Sequence, residues 1–414
     1  MTRFAPADLH ELRDAISAAL VVQEPLELVG GASKTRLGRP LQTAHTLDLS
    51  RLSGIRDYAP NELVLTAAAA TPLSDIERAL VEAGQMLAFE PPDWRGLLDA
   101  GASGTTGPTL GGVLACNLSG PRRPKAGAAR DHFLGFCGVS GRGEIFKAGG
   151  KVVKNVTGYD LSKLMAGSYG TLAALEEVTV KVLPRPEAVA TLLFTGLEPA
   201  AGSRLMSAAI GSPHEVSGAA YLPAAIPMPL AVPAPDAGIV ALRIEGPTPS
   251  VAARRTSLLR EHAGTKAAET LAESESAAFW RAIGEAAPLT PPLAASDARA
   301  VWRISVAPAR GVEIAEAIAR MLYAAWFLDW GGGLLWVAVP DSGDAGSAVI
   351  RGAIRGADGR GTGHATLVKG SPGLRRSIAV FEPQPPALAA LSRRVKEAFD
   401  PHHILNPGRM VEGS

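Results

Sequence analysis

The segment Gly30-Gly31-Ala32-Ser33-Lys34-Thr35 is the first part of the chain whose residue types could do chemistry. Glycine lets backbone N–H groups approach an anion closely, and the serine, lysine and threonine side chains add donors. No glycine follows Gly31 before Gly38, so the segment lacks the spacing of the G-x-G-x-x-G dinucleotide turn. Leu28 and Ser33 stand where a P-loop would need glycine. By itself the segment leaves two interpretations open, a tight turn or a phosphate cradle.

A second glycine-rich region runs from Gly101 to Gly120 and contains Thr109-Leu110-Gly111-Gly112. Each glycine where a helix begins costs about 1 kcal/mol relative to alanine. A fold keeps such a pair where something must touch the backbone closely. A helix N-terminus beside a hydroxyl-rich loop also suits a pyrophosphate. The region therefore predicts a second phosphate-binding loop.

Hydrophobic periodicity predicts the elements that must position these loops. In the first 186 residues it predicts helices over 9–20 and 71–84, and strands near 26–29, 47–49, 63–65, 133–139, 144–147 and 178–182. From about residue 187 it predicts strands at 190–194, 239–244, 301–306 and 334–339, separated by helices near 249–262, 267–283 and 311–324, with a closing helix over 388–399. The second half thus predicts an antiparallel sheet with helices on one face.

Composition excludes several classes of protein. The chain has 414 residues, 47% of them hydrophobic, and a net charge of +1, which gives no long-range attraction to nucleic acid. The most apolar long stretch, 222–240, carries five prolines and cannot be a membrane helix. Cys116 and Cys137 lie 21 residues apart with no CxxC pair, so neither an iron–sulfur cluster nor another metal site is expected. The N-terminus lacks a signal-peptide core, so we expect a cytoplasmic protein, which partner subunits could attach to a membrane.

Three further runs carry a specific resemblance. They are Arg130-Asp131, Lys154-Asn155-Val156-Thr157-Gly158-Tyr159-Asp160-Leu161 and Gly167-Ser168-Tyr169-Gly170-Thr171-Leu172. Together with Gly120-Pro121-Arg122-Arg123-Pro124 and the C-terminal Leu405-Asn406-Pro407-Gly408-Arg409-Met410, they resemble the FAD-linked oxidases of the vanillyl-alcohol-oxidase (PCMH) type. The resemblance is nearest to the FAD-binding subunits of glycolate oxidase. It covers about 25–186 strongly and 300–410 in scattered pieces.

This resemblance implies the fold and domains. It implies an α+β protein with a two-subdomain PCMH-type FAD-binding domain over 1–186. An α/β substrate (cap) domain with an antiparallel sheet follows over 187–374. The segment 375–414 is expected to return to the FAD domain.

The resemblance also implies the residues that hold FAD. The pyrophosphate would be held by Gly30, Gly31, Ala32, Ser33, Lys34 and Thr35. The isoalloxazine and phosphate side would be wrapped by Thr109, Leu110, Gly111, Gly112, Asn117 and Ser119. The adenine end would be closed by Gly170, Thr171, Leu172, Leu175 and Val178. The matching runs add Gly120, Arg130, Asp131, Asn155, Gly158, Tyr159 and Asp160. The family usually has glycine at position 173, where this chain has alanine, and no histidine follows Gly31, so non-covalent FAD is expected.

Oxidation of a 2-hydroxy acid needs a cation for the carboxylate, a base for the hydroxyl proton and a flavin for the hydride. The His-rich metal motif of the catalytic relatives is absent. Arg303, in a predicted strand, is the candidate carboxylate clamp, or else an ordinary strand arginine in an ion pair. His364, after a glycine-rich loop, is the candidate base, although most such histidines have no catalytic role. Trp330 and Trp336, beside three glycines, either line a pocket or belong to the core.

The leading hypothesis is an FAD-binding subunit of a glycolate oxidase complex that oxidises glycolate to glyoxylate. The resemblance implies two partners, a second flavin subunit and an iron–sulfur subunit. One alternative is a self-sufficient FAD-dependent dehydrogenase of small 2-hydroxy acids. The other is a non-catalytic assembly subunit in which FAD is structural.

Overall fold

A computed structural model describes residues 2–99, 107–151, 158–227, 237–290, 298–356, 359 and 361–413. The chain forms two compact units. The first contains residues 1–118, 127–185 and 383–414, and the second contains residues 119–126 and 186–382. The short segment 119–126 therefore belongs to the second unit, although the sequence had assigned it to the first domain.

Within the described residues the helices and strands have the following bounds. The helices are α1 (Leu9–Val22), α2 (Leu73–Glu82), α3 (Leu110–Cys116), α4 (Arg123–Ala126), α5 (Ala129–His132), α6 (Leu161–Met165), α7 (Pro199–Ile210), α8 (Thr248–Glu261), α9 (Glu273–Gly284), α10 (Gly311–Met321), α11 (Ser347–Arg355), α12 (Pro372–Ser377) and α13 (Pro386–Phe399). The strands are β1 (Thr2–Phe4), β2 (Leu26–Val29), β3 (His45–Asp48), β4 (Ile55–Ala59), β5 (Val64–Ala68), β6 (Gln85–Met86), β7 (Phe133–Ser140), β8 (Ile145–Gly149), β9 (Ala173–Lys181), β10 (Leu183–Pro184), β11 (Ala188–Leu197), β12 (Gly218–Leu222), β13 (Gly238–Gly246), β14 (Lys266–Leu271), β15 (Arg299–Val306), β16 (Ala325–Asp329), β17 (Leu334–Pro340) and β18 (Gly363–Lys369).

The first unit contains two main sheets among its described residues. A parallel sheet has the order β1-β3-β2, and an antiparallel sheet has the order β4-β5-β9-β7-β8. Asp8 caps the N-terminus of helix α1, because its carboxylate accepts hydrogen bonds from the backbone N–H groups of His10 and Glu11. Its apolar side packs Leu12 and Ile16 into a core that also contains Leu26 and Leu47. This core fixes β2, the strand that leads into the first glycine segment.

The C-terminal segment of the first unit completes the parallel sheet. The N–H of Leu26 donates to the carbonyl of Ile404 at 2.8 Å, and the N–H of Asn406 donates to the carbonyl of Leu26 at 3.0 Å. A buried ion pair holds the preceding helix α13, because the Lys396 ammonium lies 2.6 Å from the Asp400 carboxylate. The same ammonium donates to the carbonyl of Thr171 at 2.8 Å. The last residues are therefore part of the unit.

The second unit is built on one large sheet, in which all described strand pairs are antiparallel. The order is β14-β11-β13-β12-β16-β17-β15-β18. Alternate residues of β15, among them Trp302 and Ile304, join a core that also contains residues of α7, α8, α10 and α11. The expected α+β class and the antiparallel sheet are confirmed. The expectation that the helices share one face is wrong, because the Trp280 indole of α9 donates to Thr191 at 2.8 Å, and Thr191 points away from the core that Leu192 enters.

The start of the helix predicted over 267–283 is wrong. Residues 267–283 were expected to be one helix because alanine and glutamate dominate the stretch and favour helices. The structure places 266–271 in strand β14, which pairs with β11, and the helix begins only at Glu273. Strand pairing supplied by a distant segment here overrides local helix propensity. Among the described residues, no helix is long and apolar enough to span a bilayer.

Candidate functional site

An open cleft in the first unit gathers the two predicted glycine loops. Its empty volume is about 810 Å³, including the solvent at its mouth. Six stretches of the chain line it: the end of β2 with the first glycine loop, Leu49, the residues that follow β5, helix α3, residues around Gly170, and the C-terminal segment. The lining residues that the sequence had predicted are Gly30, Gly31, Ala32, Ser33, Lys34, Thr35, Thr109, Gly111, Gly112, Gly170 and Leu175. The tertiary fold thus brings together loops that are far apart in sequence.

The first loop turns sharply at Ala32, whose φ of 57° lies in the left-handed region. Ala32 also forms an isolated parallel bridge with Gly107. The ammonium of Lys34 donates to the hydroxyl of Ser33 at 3.1 Å. Burial lowers the pKa of Lys34, although the negative charge of Asp93 opposes this shift. A cation and several hydroxyl groups therefore line one end of the cleft.

The two adjacent glycines at the start of α3 serve different purposes. A Cβ atom on Gly111 would lie 2.7 Å from the carbonyl oxygen of Ala69, so Gly111 permits close packing of the helix on the end of β5. A Cβ atom on Gly112 would instead meet the Thr109 hydroxyl at 3.1 Å and the Lys34 ammonium at 4.0 Å. Of the two, Gly112 keeps the space beside the lysine open. We had expected both glycines to serve a bound group.

Two residues of the C-terminal segment also line the cleft, and the sequence had not assigned them to the site. Asn406 accepts a hydrogen bond from the N–H of Leu28 at 2.9 Å and donates to the carbonyl of Tyr169 at 2.8 Å. Arg409 donates to the carbonyls of Thr35 and Leu37 at 2.8 and 3.1 Å. Both side chains therefore brace loops of the cleft. The run of Asn406 to Arg409, noted only as a resemblance, was the signal that could have found them.

Cys116 is another lining residue, which the sequence had treated as an ordinary small apolar residue. Burial raises the pKa of its thiol to about 11, even though the positive charges of Lys34 and Arg409 oppose the shift. At neutral pH the thiol is therefore protonated and a weak nucleophile.

Several predicted FAD contacts do not line the cleft. Leu110, Leu172 and Val178 are buried in the core. Asn117 ends α3 and accepts a hydrogen bond from the N–H of Arg130, while Asp131 accepts one from the N–H of Ala128.

Of the remaining predicted contacts, those that the structure describes do not line the cleft either. Asp160 caps α6, Gly158 is exposed and Tyr159 is 90% exposed. Thr171 bonds the carbonyl of Ser168. Ser119 and Gly120 belong to the second unit, and Asn155 lies outside the described residues.

The two predicted catalytic residues, Arg303 and His364, share one face of the large sheet in the second unit. In the pairing of β15 with β18, Arg303 lies opposite Thr366 and Ser305 lies opposite His364. Side chains two residues apart on a strand point to the same face, so the guanidinium and the imidazole project to the same side. This face is opposite to the one that Trp302 and Ile304 bury in the core.

His364 has an exposed side chain, yet enough protein surrounds it to disfavour its charged form. Desolvation and the positive charges of Arg303 and Arg123 lower its pKa, whereas the negative charge of Glu382 raises it. The net shift is downward. The imidazole is therefore mostly neutral at pH 7, which is the state in which a histidine accepts a proton.

The two tryptophans near the glycine triplet have different environments. Trp336 belongs to the core, where its ring stacks on that of Phe327 at a centroid distance of 6.4 Å. Trp330 instead contacts two arginines: the guanidinium carbons of Arg123 and Arg303 lie 4.2 and 4.9 Å from its ring centroid. The core interpretation thus holds for Trp336, whereas Trp330 is buried against two arginines.

Comparison with known proteins adds to this geometry. The family model described as "FAD binding domain" matches residues 3–149, and that described as "FAD linked oxidases, C-terminal domain" matches residues 373–410. The chain is 34% identical to glycolate oxidase subunit GlcE of Escherichia coli over 399 residues, or 96% of each chain. The chain belongs to the GlcE family of FAD-linked oxidases. It is also 34% identical to glycolate oxidase subunit GlcD of Bacillus subtilis, over 40% of this chain and 32% of that one.

Solved structures support the fold. The 4-ethylphenol oxidase of Gulosibacter chungangensis superposes with a TM-score of 0.70 over 100% of this chain and 89% of its own, at 14% identity. For p-cresol methylhydroxylase the TM-score is 0.69 over 99% and 88%, at 13% identity. The PCMH-type fold inferred from the sequence is confirmed.

The cofactor of this GlcE-family chain is FAD, and its class is that of an FAD-dependent oxidoreductase acting on CH–OH donors. The lining of the cleft fits this cofactor. The Lys34 ammonium and the hydroxyls of Ser33, Thr35 and Thr109 are groups that bind phosphate oxygens, and Gly112 leaves room beside them. Elsewhere in the described part of the chain, no group of three or more His, Cys, Asp or Glu side chains is placed to hold a metal ion.

Proposed function

We propose that this chain is the FAD-binding subunit of a glycolate oxidase complex, in which it takes part in the oxidation of glycolate to glyoxylate. The observation that carries the proposal is the 34% identity to a glycolate oxidase subunit over 96% of both chains. The cleft supports it, because its lysine and hydroxyl groups suit the phosphates of FAD. The individual residues predicted to bind FAD remain part of the proposal.

We infer that electrons leave this chain through an iron–sulfur subunit. The sequence has two cysteines, Cys116 and Cys137, whereas an iron–sulfur cluster commonly needs four cysteine ligands. A flavin reduced by two electrons must therefore be reoxidised by a carrier outside this chain. A second flavin subunit, similar to this one in its FAD-binding half, would complete the assembly. The free thiols suit the reducing cytoplasm, where we expect the complex to work.

Arg303 would bind the substrate and His364 would accept a proton from it. Glycolate loses two electrons and two protons as it becomes glyoxylate. The Arg303 guanidinium would hold the carboxylate, since its planar set of donors matches two carboxylate oxygens. Neutral His364 would take the hydroxyl proton. Bound FAD supplies the two-electron acceptor for the hydrogen on carbon.

The flavin content of the purified full-length chain tests the cofactor part of the proposal. We expect a yellow protein with about one FAD per chain. A colourless preparation that cannot be reconstituted with FAD would contradict the proposal. Co-purification from cells that produce the native complex should recover a second flavoprotein and an iron–sulfur protein.

Anaerobic mixing with glycolate or D-lactate separates the alternatives. Rapid bleaching of the flavin by the isolated chain would favour a self-sufficient 2-hydroxy-acid dehydrogenase. Bleaching only after the partner subunits are added would support the subunit proposal. A complex that keeps full activity when a redox-inactive FAD analogue replaces the FAD of this chain would favour a purely structural role for the flavin.

A further inference from the structure

The second unit carries a second arginine beside the predicted carboxylate clamp. We propose that Arg123 binds the substrate carboxylate together with Arg303, and that the indole of Trp330 holds the two guanidinium groups in place. The inference rests on the proposed function, because it names a residue and a ligand class for the same site. The class is a small organic anion that bears one carboxylate beside a hydroxyl group.

The position of Arg123 is set by its neighbours in the chain. The preceding residue, Arg122, donates two hydrogen bonds to the Glu245 carboxylate at 2.9 and 2.7 Å. The indole N–H of Trp330 donates to the carbonyl of Gly120 at 3.0 Å. The segment 119–126 is therefore fastened at two points on either side of Pro121. These contacts leave the Arg123 guanidinium 4.2 Å from the Trp330 ring centroid.

The backbone around Trp330 is built to hold its indole in one place. Trp330 has a φ of 53°, a left-handed conformation that costs energy for a residue with a large side chain. The Asp329 carboxylate accepts a hydrogen bond from the N–H of Trp330 at 2.7 Å, and the ring is only 5% exposed. The next two glycines also have positive φ angles. Strain of this kind persists where the surrounding structure fixes a functional group.

The electrostatics of the cluster favour an anion. The electron-rich face of the Trp330 ring attracts each guanidinium and so brings two cations to one indole. The positive charges of both arginines also lower the pKa of His364. The negative charge of Glu382 opposes their effect on His364, and its carboxylate accepts hydrogen bonds from the N–H of Ala365 and from Arg351. Two guanidinium groups beside one indole offer planar sets of donors that match the two oxygens of a carboxylate.

Isothermal titration calorimetry on the full-length chain tests the inference, with glycolate and the unreactive anion oxalate as probes. We expect Arg123→Gln to raise the Kd for both by at least tenfold, and Arg123→Lys to raise it less. The matched control is Lys125→Gln. It removes a positive charge from the same segment, where Lys125 pairs with exposed Glu215, and should change the Kd by less than twofold.

A second measurement excludes a merely structural effect. In NMR spectra of histidine-labelled protein, Arg123→Gln should raise the pKa of His364, because a positive charge near it is lost, whereas Lys125→Gln should leave it unchanged. Flavin absorbance should be the same in all variants. An unchanged Kd in Arg123→Gln would overturn the inference, as would an equal loss in Lys125→Gln.

The two proposals fail in different ways. A yellow protein whose anion binding does not depend on Arg123 would overturn this inference and leave the flavin proposal intact. A colourless protein that still binds glycolate through Arg123 would support the inference and contradict the flavin proposal.

Discussion

The side chain of Asn406 accepts a hydrogen bond from the backbone N–H of Leu28 at 2.9 Å, although 378 residues separate the two. Leu28 lies in the strand that leads into the first glycine loop, and both residues line the cleft. The same amide group of Asn406 donates to the carbonyl of Tyr169. One side chain near the C-terminus therefore ties together two loops of the cleft.

Replacing Asn406 with alanine should weaken both the fold and FAD binding. The change leaves the Leu28 N–H and the Tyr169 carbonyl without this partner, at a cost of about 1–3 kcal/mol. Urea denaturation should show the loss of stability, and gel filtration should show FAD loss at concentrations where the unaltered chain keeps it. His402→Ala, at an exposed position of the same segment, is the control. Equal FAD retention by the two variants would contradict the bracing role of Asn406.

Valine at Gly112 and at Gly111 should give different defects. A Cβ atom at position 111 would lie 2.7 Å from the carbonyl of Ala69, so Gly111→Val should destabilise the first unit. A Cβ atom at position 112 would instead point toward the Thr109 hydroxyl and the Lys34 ammonium. The Gly112→Val protein should therefore fold but bind much less FAD. Circular dichroism and flavin absorbance separate the two effects. A folded Gly112→Val protein with full FAD content would refute this assignment.

FAD should be released when the protein is denatured. The thiol of Cys116 lies in the cleft, but with its pKa raised to about 11 it stays protonated at neutral pH and does not attack the cofactor. Precipitation with trichloroacetic acid should therefore leave a colourless pellet and a yellow supernatant. Cys116→Ala should bind FAD in the same stoichiometry. A pellet that stays yellow, and becomes colourless only in Cys116→Ala, would show a covalent bond to this cysteine.

The pairing of Glu245 with Arg122 predicts a pH-dependent contribution to stability. Burial alone would raise the pKa of Glu245, but the charges of Arg243 and Arg122 and the hydrogen bonds from Arg122 and Ser217 lower it to about 2. Because the folded pKa lies below the unfolded value of 4.5, the contribution is complete above pH 4.5 and is lost as pH falls toward 2. Its size is on the order of 3 kcal/mol.

Chemical denaturation of Glu245→Gln at several pH values checks this prediction. The variant should be less stable than the unaltered chain at pH 7, and the difference should shrink below pH 4.5. Glu313→Gln is the control, because the Glu313 side chain is 66% exposed in its pair with Arg310, and such a pair contributes at most about 1 kcal/mol. A stability difference for Glu245→Gln that does not vary with pH would contradict the proposed pairing.

Local patterns predicted much of the fold because they depend on neighbouring residues. The alternation of Val178 and Val180 predicted strand β9, and the spacing of Leu12 and Ile16 predicted helix α1. Strand β14 could not be predicted in this way, since its strand conformation depends on pairing with β11 rather than on its own residues. The sequence predicted the first glycine loop as a candidate site because glycine and hydroxyl residues cluster there, and all six residues of that loop line the cleft.

The sequence by itself determined the family and the cofactor, because these follow from its motifs and from its likeness to a relative over nearly the whole chain. Only the tertiary structure decided which of two adjacent glycines packs against Ala69 and which leaves room beside Lys34, and that Asn406 and Arg409 line the cleft. It likewise brought Arg123 and Arg303 to the same indole. The physical reason is separation along the chain: contacts between residues 210 and 378 positions apart depend on how the strands pair, which no local pattern contains.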